Sequence, residues 1–423
     1  MMKIQALKAF QSRNYRFYFS GQSVSLIGTW MQRTAVYWLI YDKTQSPLML
    51  GVAVFAAQFP SFLFSIPGGM VSDRYNRYRV LLLTQVASLA QALVLAVLVL
   101  SETYEVGQLL TLSVVLGIIN AFDVPARQAM VYDIVNSKEH VSNAIALNSS
   151  MVHLARLIGP AFSGIVLEAF GAPVCFFINA FSFVAVITSL MLLKLPPYKR
   201  PERTNTAIAD IKNGFTYLKD TPSIANVMVM LALISLLSLP YITLLPVYAK
   251  EIFTGNASTF GYLNSFIGLG AISGAFFLAS LQPGADLRKI LFINTLVFGA
   301  GLLLFSHTTG LPLALFFLII TGFGMMSQTT ISNTLIQLTV APAMRGRVIS
   351  YYAMAFFGMQ PIGGLLIGAL SHRIGAPKTI AAEGVITVLI ALVAGPLLHR
   401  RELKSRDKMK MDQLEERSVE TTG

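Results

Sequence analysis

The chain has 423 residues, 54% hydrophobic and 12% charged, with 32 Lys and Arg against 20 Asp and Glu and a net charge of +12. Soluble domains carry about a quarter charged residues, so this composition excludes an ordinary soluble fold. A single cysteine, Cys175, excludes a disulfide framework and a multi-thiolate metal site, and its apolar surroundings read as those of a packed thiol.

The first residues, MMKIQALKAFQSRNYRFYFSG, lack a small-residue cleavage site and run into a hydrophobic segment, so a retained first span is expected rather than a cleaved leader. Apolar blocks bounded by charge, Pro and Gly follow at 17–41, 48–71, 79–101, 107–128, 142–168, 173–194, 223–249, 259–281, 288–306, 311–335, 347–370 and 377–398. A helix needs roughly 20 apolar residues to cross hydrocarbon, so the pattern predicts an all-α polytopic membrane protein with twelve transmembrane helices. The fifth and eleventh blocks give the weakest signals, because both carry polar residues and several glycines.

The basic residues choose the orientation. Of the 32, 26 precede the first block, lie in the even-numbered loops or at the block ends flanking them, or follow the last block. Only Lys43, Lys250, Arg373 and Lys378 fall on the other side, while Arg33 and Arg156 lie within blocks. By the positive-inside rule both termini face the cytosol. The net charge is then a topology signal with some attraction to anionic lipid, and no nucleic-acid partner is expected.

The chain also repeats. Gly171-Ala172-Pro173 recurs as Gly375-Ala376-Pro377, and ahead of it Gly159 and Gly164 match Gly363 and Gly368 in the same register. Gly117 and Gly322 open comparable stretches, and RVLLL (79–83) matches KILFI (289–293). A repeat of six spans keeps its orientation, so two parallel six-helix halves are expected, at 1–194 and 223–400. Between them, 195–222 reads as a cytosolic linker whose IADIKNGFTYLKD stretch suits a surface helix, and 401–423 reads as a disordered cytosolic tail.

Two motifs stand out. GGMVSDRYNRYRVLL (68–82) follows the second block, and its Gly69, Asp73, Arg74, Arg77 and Arg79 resemble the G-x-x-x-D-R-x-G-R-[RK] loop of the major facilitator superfamily. Gly69 is expected to permit close helix contact, and Asp73 to latch one arrangement of the bundle by pairing with a basic group. Asn76 replaces the family's usual loop Gly, a position Asn can fill because it tolerates the left-handed conformation. The second motif, ARLIGPAFSG (155–164), resembles the g-x-x-x-G-P-x-x-G-g antiporter motif of exporting branches through Gly159, Pro160 and Gly164, with Ala155 and Ser163 at usual Gly positions. A proline bends a span, and small residues let it approach a partner closely.

Together with RNYRFYFSGQSVSLIGTWMQ (13–32), LGIINAFDVPARQAMVYDIV (116–135), GFGMMSQTTISNTLIQ (322–337) and RGRVISYYAMAFFGMQPIGG (345–364), these motifs make residues 13–400 similar to the drug:proton antiporter branch that includes enterobactin-exporter-like proteins. The resemblance implies a bacterial inner-membrane exporter without cofactor or metal, working on a small molecule and protons, read here as a monomer. It also implies that Asp133 pairs with the loop basics. Many drug-exporting relatives carry an Arg in the fourth span where this chain has Ser113, which leaves the proton route unassigned.

Charged groups within spans are costly and so mark function or pairing. Arg33 has no evident sequence-local partner and suits an anionic substrate, a proton-carrying acid or a structural pair. His153 and Arg156 share one face of the fifth span, where His153 is a candidate proton carrier or a hydrogen-bonded core histidine. Glu383 is the one acid well inside the second half's spans. Asp123 is kept among the candidates, but Arg127 one turn on favours a structural ion pair. Phosphate-loop, zinc-protease and nucleophile-elbow motifs are absent, so an enzyme is not expected. The reading is a secondary transporter exporting small amphipathic molecules by alternating access, with an importer or facilitator of the same fold, or a membrane receptor, as alternatives.

Overall fold

The computed structural model describes residues 5–135, 138–195, 207–282 and 284–395, and these fold into helices joined by short turns. The spans are α1 (Arg13–Thr44), α2 (Pro47–Leu63 continued by Ser65–Arg74), α3 (Arg77–Leu100), α4 (Val106–Ile134), α5 (Lys138–Phe170) and α6 (Ala172–Met191). They continue as α7 (Pro222–Ile252), α8 (Ala257–Ala279), α9 (Leu287–Ser306), α10 (Leu311–Thr339), α11 (Arg345–Ile374) and α12 (Ala376–Gly395). Ten of these are each long and apolar enough to cross a bilayer, and the two segments of α2 make an eleventh. The twelfth is α1, whose polar side chains Gln22, Gln32 and Arg33 lower its hydropathy while it packs among α2, α4, α5 and α6. Outward-facing side chains such as Phe181 and Phe276, 71% and 73% exposed, would be unfavourable in water and suit lipid contact.

Proline chemistry explains where the spans deviate. The sequence predicts one continuous second span, but α2 bends by 45° between Leu63 and Ser65. Pro67 has no N–H to offer the Leu63 carbonyl and its ring crowds that carbonyl, so the first segment stops there. Likewise α7 is interrupted: its regular helix ends at Leu237, and Leu239–Leu244 form a 3-10 stretch containing Pro240. Pro240 leaves the Leu236 carbonyl without its helical donor, and Gly363 of α11 packs against that carbonyl. A further irregularity is the π-helical stretch Met354–Gly358 in α11, where the Phe62 ring of α2 covers Gly358.

The glycines that mark the repeat do equivalent jobs in both halves. Gly171 and Gly375 have φ of 81° and 86° with extended ψ, a backbone region open essentially to glycine, and each ends one span just before an Ala-Pro start of the next. A Cβ on Gly159 would strike Trp30 and the Ile27 carbonyl of α1, and one on Gly363 would strike Pro240 and the Leu236 carbonyl of α7. A Cβ on Gly164 would meet α8 at Ala257 and Gly261, and one on Gly368 would meet α2 at Pro47 and Gly51. Gly117 sits against Ala57 of α2 as Gly322 sits against Ile267 of α8. Helix contacts therefore recur after a shift of six spans, which makes the two halves parallel copies.

The halves meet through α5 with α8 and α2 with α11. Hydrogen bonds between them gather at the end where α1, α5, α7 and α11 finish. There Lys250 pairs with Asp42, Tyr41 donates to Glu251, and Glu168 accepts from Asn256 and Ser258. Just inside this clasp the Trp38 and Phe260 rings stack across the halves, 6.2 Å between centroids. At mid-depth a further such bond runs from Ser265 Oγ to the Leu157 carbonyl, 3.2 Å away. At the opposite end, where Arg13 and Arg77 lie, the Ala207–Asp220 helix docks on the second half. Its Gly214 lies against Tyr351 and Arg347, and Tyr217 Oη accepts from the Ala341 N–H at 3.1 Å. The expected linker start, 196–206, and the expected tail, 401–423, lie outside the described residues.

Candidate functional site

Two arginines share one indole at mid-depth. Trp30 and Arg33 lie on one side of α1, and α5 approaches closely because Gly159 has no side chain to hold it off Trp30 and because Ser163 Oγ donates to the Met31 carbonyl at 3.0 Å. Arg33 Cζ then lies 5.2 Å from the Trp30 ring centroid, and Arg156 Cζ of α5 lies 5.6 Å from it. Both guanidinium groups gain from the electron-rich ring face, worth about 0.5–2 kcal/mol for such pairs. Arg33 also donates from Nε to Tyr37 Oη at 3.0 Å, so its sequence-local partner is an aromatic residue one turn on, which a search for acids overlooks. Arg156 is close enough to feel Arg33 and, across the halves, the Tyr241 hydroxyl on the broken stretch of α7. Neither arginine forms an ion pair with a carboxylate among the described residues. His153 is half-buried, one turn before Arg156 on α5.

A second polar cluster separates the halves chemically. In the first half Asn179 of α6 donates to Gln32 Oε1 at 2.7 Å, Gln32 donates to Gln91 of α3 at 3.0 Å, and Gln91 donates to the Leu112 carbonyl. The register of the repeat puts Glu383 of α12 where Asn179 stands in α6. Glu383 is fully buried, yet neither of its carboxyl oxygens has a hydrogen-bond partner among the described residues. The difference lies in α7, whose 239–243 stretch, Leu-Pro-Tyr-Ile-Thr, offers no amide to play the part of Gln32. Tyr241 and Tyr248 of α7 are the titratable groups near Glu383.

The loop motif departs from its sequence reading in two places. A Cβ on Gly69 would meet nothing within 4 Å, whereas a Cβ on Gly68 would stand 1.9 Å from the Ala121 carbonyl of α4. The close contact thus belongs to the first glycine of the pair, since one residue turns a helix face by about 100°. Asn76 is not left-handed: with φ −62° and ψ 111° it caps α3, its side chain accepting from the Tyr78 and Arg79 amides. Asp286 caps α9 in the same way through the Arg288 and Lys289 amides. Arg77 meets Asp133 of α4 at 3.3 Å, both partly exposed, which ties the loop to its own half. Asp73 is half-buried at the end of α2, while Arg74 and Arg79 are exposed. Asp123 is fully engaged, with Arg127 at 3.2 Å and with Thr84 and Gln85 of α3 at 3.0 and 2.6 Å. It belongs to a buried structural network apart from the arginine pair.

The turns at the clasped end carry their own electrostatics. Lys43 lies over the Tyr104 ring, 4.3 Å from its centroid, and donates to the Tyr104 carbonyl. Burial, and then the nearby Asp42 carboxylate, raise the Tyr104 phenol above its ordinary range, so it stays neutral. A recess of about 240 Å³ at the other end of the second half, between Leu278, Gln282 and Thr334, holds no charged group and lies away from the arginine pair.

The sequence matches the transmembrane secretion effector family over residues 4–422. The chain belongs to this family of major facilitator transporters. Like other secretion effectors it is a multi-pass membrane transporter of small molecules, not an enzyme. It is 26% identical over 382 residues to the staphyloferrin A transporter of Staphylococcus aureus, covering 89% of this chain and 94% of that one. Identity to the enterobactin exporter EntS of Escherichia coli is 24% over 393 residues, covering 92% and 93%. Macrolide efflux protein A of Streptococcus pyogenes is 21% identical, covering 94% and 99%. Among solved structures, a bacterial homologue of the human lysosomal transporter Spinster, in an inward-facing and unoccupied conformation, superposes with a TM-score of 0.74 at 14% identity, covering 93% of this chain and 98% of that one. In this secretion effector the sequence points to Arg33 and Arg156 but misses Trp30, Tyr37 and Tyr241. Aromatic residues in spans usually pack, so only the one-turn spacing of Trp30, Arg33 and Tyr37 could have signalled the first two, and nothing in the sequence signals Tyr241.

Proposed function

We propose that this secretion effector exports small amphipathic molecules from the cytosol by alternating access of its two halves, in exchange for protons. The observation that carries the reading is the one-ended clasp. Asp42–Lys250, Tyr41–Glu251 and Glu168–Asn256 tie the halves at one end, while most of the basic residues sit at the other. Positive-inside asymmetry makes the basic end, with both termini, cytosolic, so the conformation is open towards the cytosol and closed outside. The staphyloferrin, enterobactin and macrolide transporters among the relatives support export of drug- or siderophore-sized substrates. The moving bodies are the halves at 1–194 and 223–400, joined by the 195–222 linker. Gly159, Pro160 and Gly164 let α5 rock between α1 and α8, and the Asp73–Arg79 loop with Asp133 steadies the cytosolic ends of α2, α3 and α4.

Glu383 is the proton carrier in this reading. A carboxyl sealed without partners in one state and wetted in another takes up a proton on one side and releases it on the other. Arg156 lies within electrostatic reach of Tyr241, and Tyr241 within reach of Glu383, so charge arriving at the arginines bears on the acid. His153, beside Arg156, offers a second titrating group on the substrate side. The reading is tested in proteoliposomes holding the protein in one orientation, loaded with a macrolide or a siderophore. A proton gradient directed against export is expected to drive the substrate out. Flux that ignores the gradient removes the proton coupling, and flux running only inwards replaces export with import.

A further inference from the structure

We infer that Arg33, Arg156 and Trp30 form an anion subsite that selects flat, amphipathic organic acids among the exported molecules. The inference rests on the export reading and narrows its substrate class. Two guanidinium groups lie within 5.6 Å of one indole ring, near enough to repel each other, and no carboxylate of the described chain pairs with either. Two like charges held at mid-depth of a membrane protein without a counter-ion are costly, and a bound acid group offsets that cost.

The repeat shows that the charges are not scaffolding. Gln360 of α11 occupies the place that Arg156 has in α5, and α7 carries no cation before Lys250, yet the second half packs through the same glycine contacts. The fold is therefore built without a cation at these positions. Only the first half adds them, and of the two Arg156 lies within electrostatic reach of Tyr241 in the other half. Arg33 is further held by Tyr37 Oη on its Nε, and its two terminal nitrogens have no carboxylate partner among the described residues. The half-buried Trp30 indole, within 5.6 Å of both guanidinium groups, sets flat apolar surface beside the charges. A ligand with one acid group and one aromatic ring satisfies both features, and a second acid group would use both arginines.

The test is equilibrium dialysis of the full-length protein in phosphatidylcholine nanodiscs, comparing 2-naphthoate with uncharged 2-naphthamide and subtracting empty discs. The carboxylate is expected to bind about tenfold more tightly, equivalent to about 1.4 kcal/mol. Arg33→Gln and Arg156→Gln should each remove that preference and leave naphthamide binding unchanged, while Arg33→Lys should keep part of it. Equal binding of the two probes to the wild-type protein, no binding of naphthoate, or a preference that survives both Gln variants overturns the subsite. The wild-type comparison decides even if a variant fails to fold. Binding without movement in proteoliposomes faults the export reading alone, whereas export of both probes without charge preference faults the subsite alone.

Discussion

Asn179 and Glu383 hold equivalent places in the two halves, but Asn179 donates to Gln32 at 2.7 Å while both carboxyl oxygens of Glu383 are buried without a partner among the described residues. The same scaffold position is thus a finished hydrogen-bond network in one half and an open one in the other. Unpaired buried polar groups cost free energy and persist where they work, which is why the proton is assigned to the second half and the substrate charge to the first.

Replacing that acid separates coupling from movement. Glu383→Gln keeps the shape and removes the exchangeable proton, so gradient-driven export in proteoliposomes should fall about tenfold, within the span of a coupling free energy of about 1–3 kcal/mol. Substrate exchange without a gradient should stay near the wild-type rate. Retained gradient response would assign the proton elsewhere, with His153→Ala the next variant to measure.

The paired glycines before the loop give a sharp contrast. Gly68→Ala drives a methyl into the Ala121 carbonyl and should destabilise the protein by about 1–3 kcal/mol, as overpacking does. Gly69→Ala meets open space and should shift stability by no more than about 0.5 kcal/mol. Midpoints of thermal unfolding in detergent report both, and equal shifts would mean that the α2–α4 contact is misassigned.

Small residues at the clasped end set how tightly it closes. Gly164 and Gly368 meet backbone of the opposite half, so a valine at either must push the halves apart there. Gly164→Val and Gly368→Val should each favour the outward-open state and raise the reactivity of a cysteine placed at Ser258 towards an impermeant thiol reagent. Unchanged reactivity would show that the α5–α8 and α2–α11 contacts do not govern closure.

The loop ion pair is a positioning contact rather than a source of stability. Arg77 and Asp133 are both partly exposed, so breaking the pair should cost under about 1 kcal/mol. Asp133→Arg should nevertheless slow transport, and adding Arg77→Glu should restore it. Asp73→Asn should slow transport with expression intact. A reversed pair that fails to rescue would limit the loop's role to topology.

Much of this architecture was legible from residue order alone. Twelve blocks and the repeated Gly-Ala-Pro turn give spans and duplication, because the bilayer imposes length and only glycine fits the backbone at Gly171 and Gly375. What stayed hidden depends on rotation and on neighbours. A sequence motif cannot say that Gly68 rather than Gly69 faces α4, nor that Asn76 is a helix cap instead of a left-handed turn. The arginine pair was visible as two costly charges, but their convergence on Trp30 follows from how closely α5 reaches α1 over Gly159, a contact made only in the folded bundle.

Alternating access is tested most directly by measuring both ends of the bundle in one protein. Cys175 is buried, so spin labels can be placed selectively at Thr103→Cys and Thr309→Cys across the clasped end, and at Tyr75→Cys and Gln282→Cys across the basic end. Pulsed distance measurements in nanodiscs, with and without substrate and at two pH values, should show the clasped-end distance lengthening as the basic-end distance shortens. Distances that do not change, or that lengthen together, would contradict an exchange of access between the two sides.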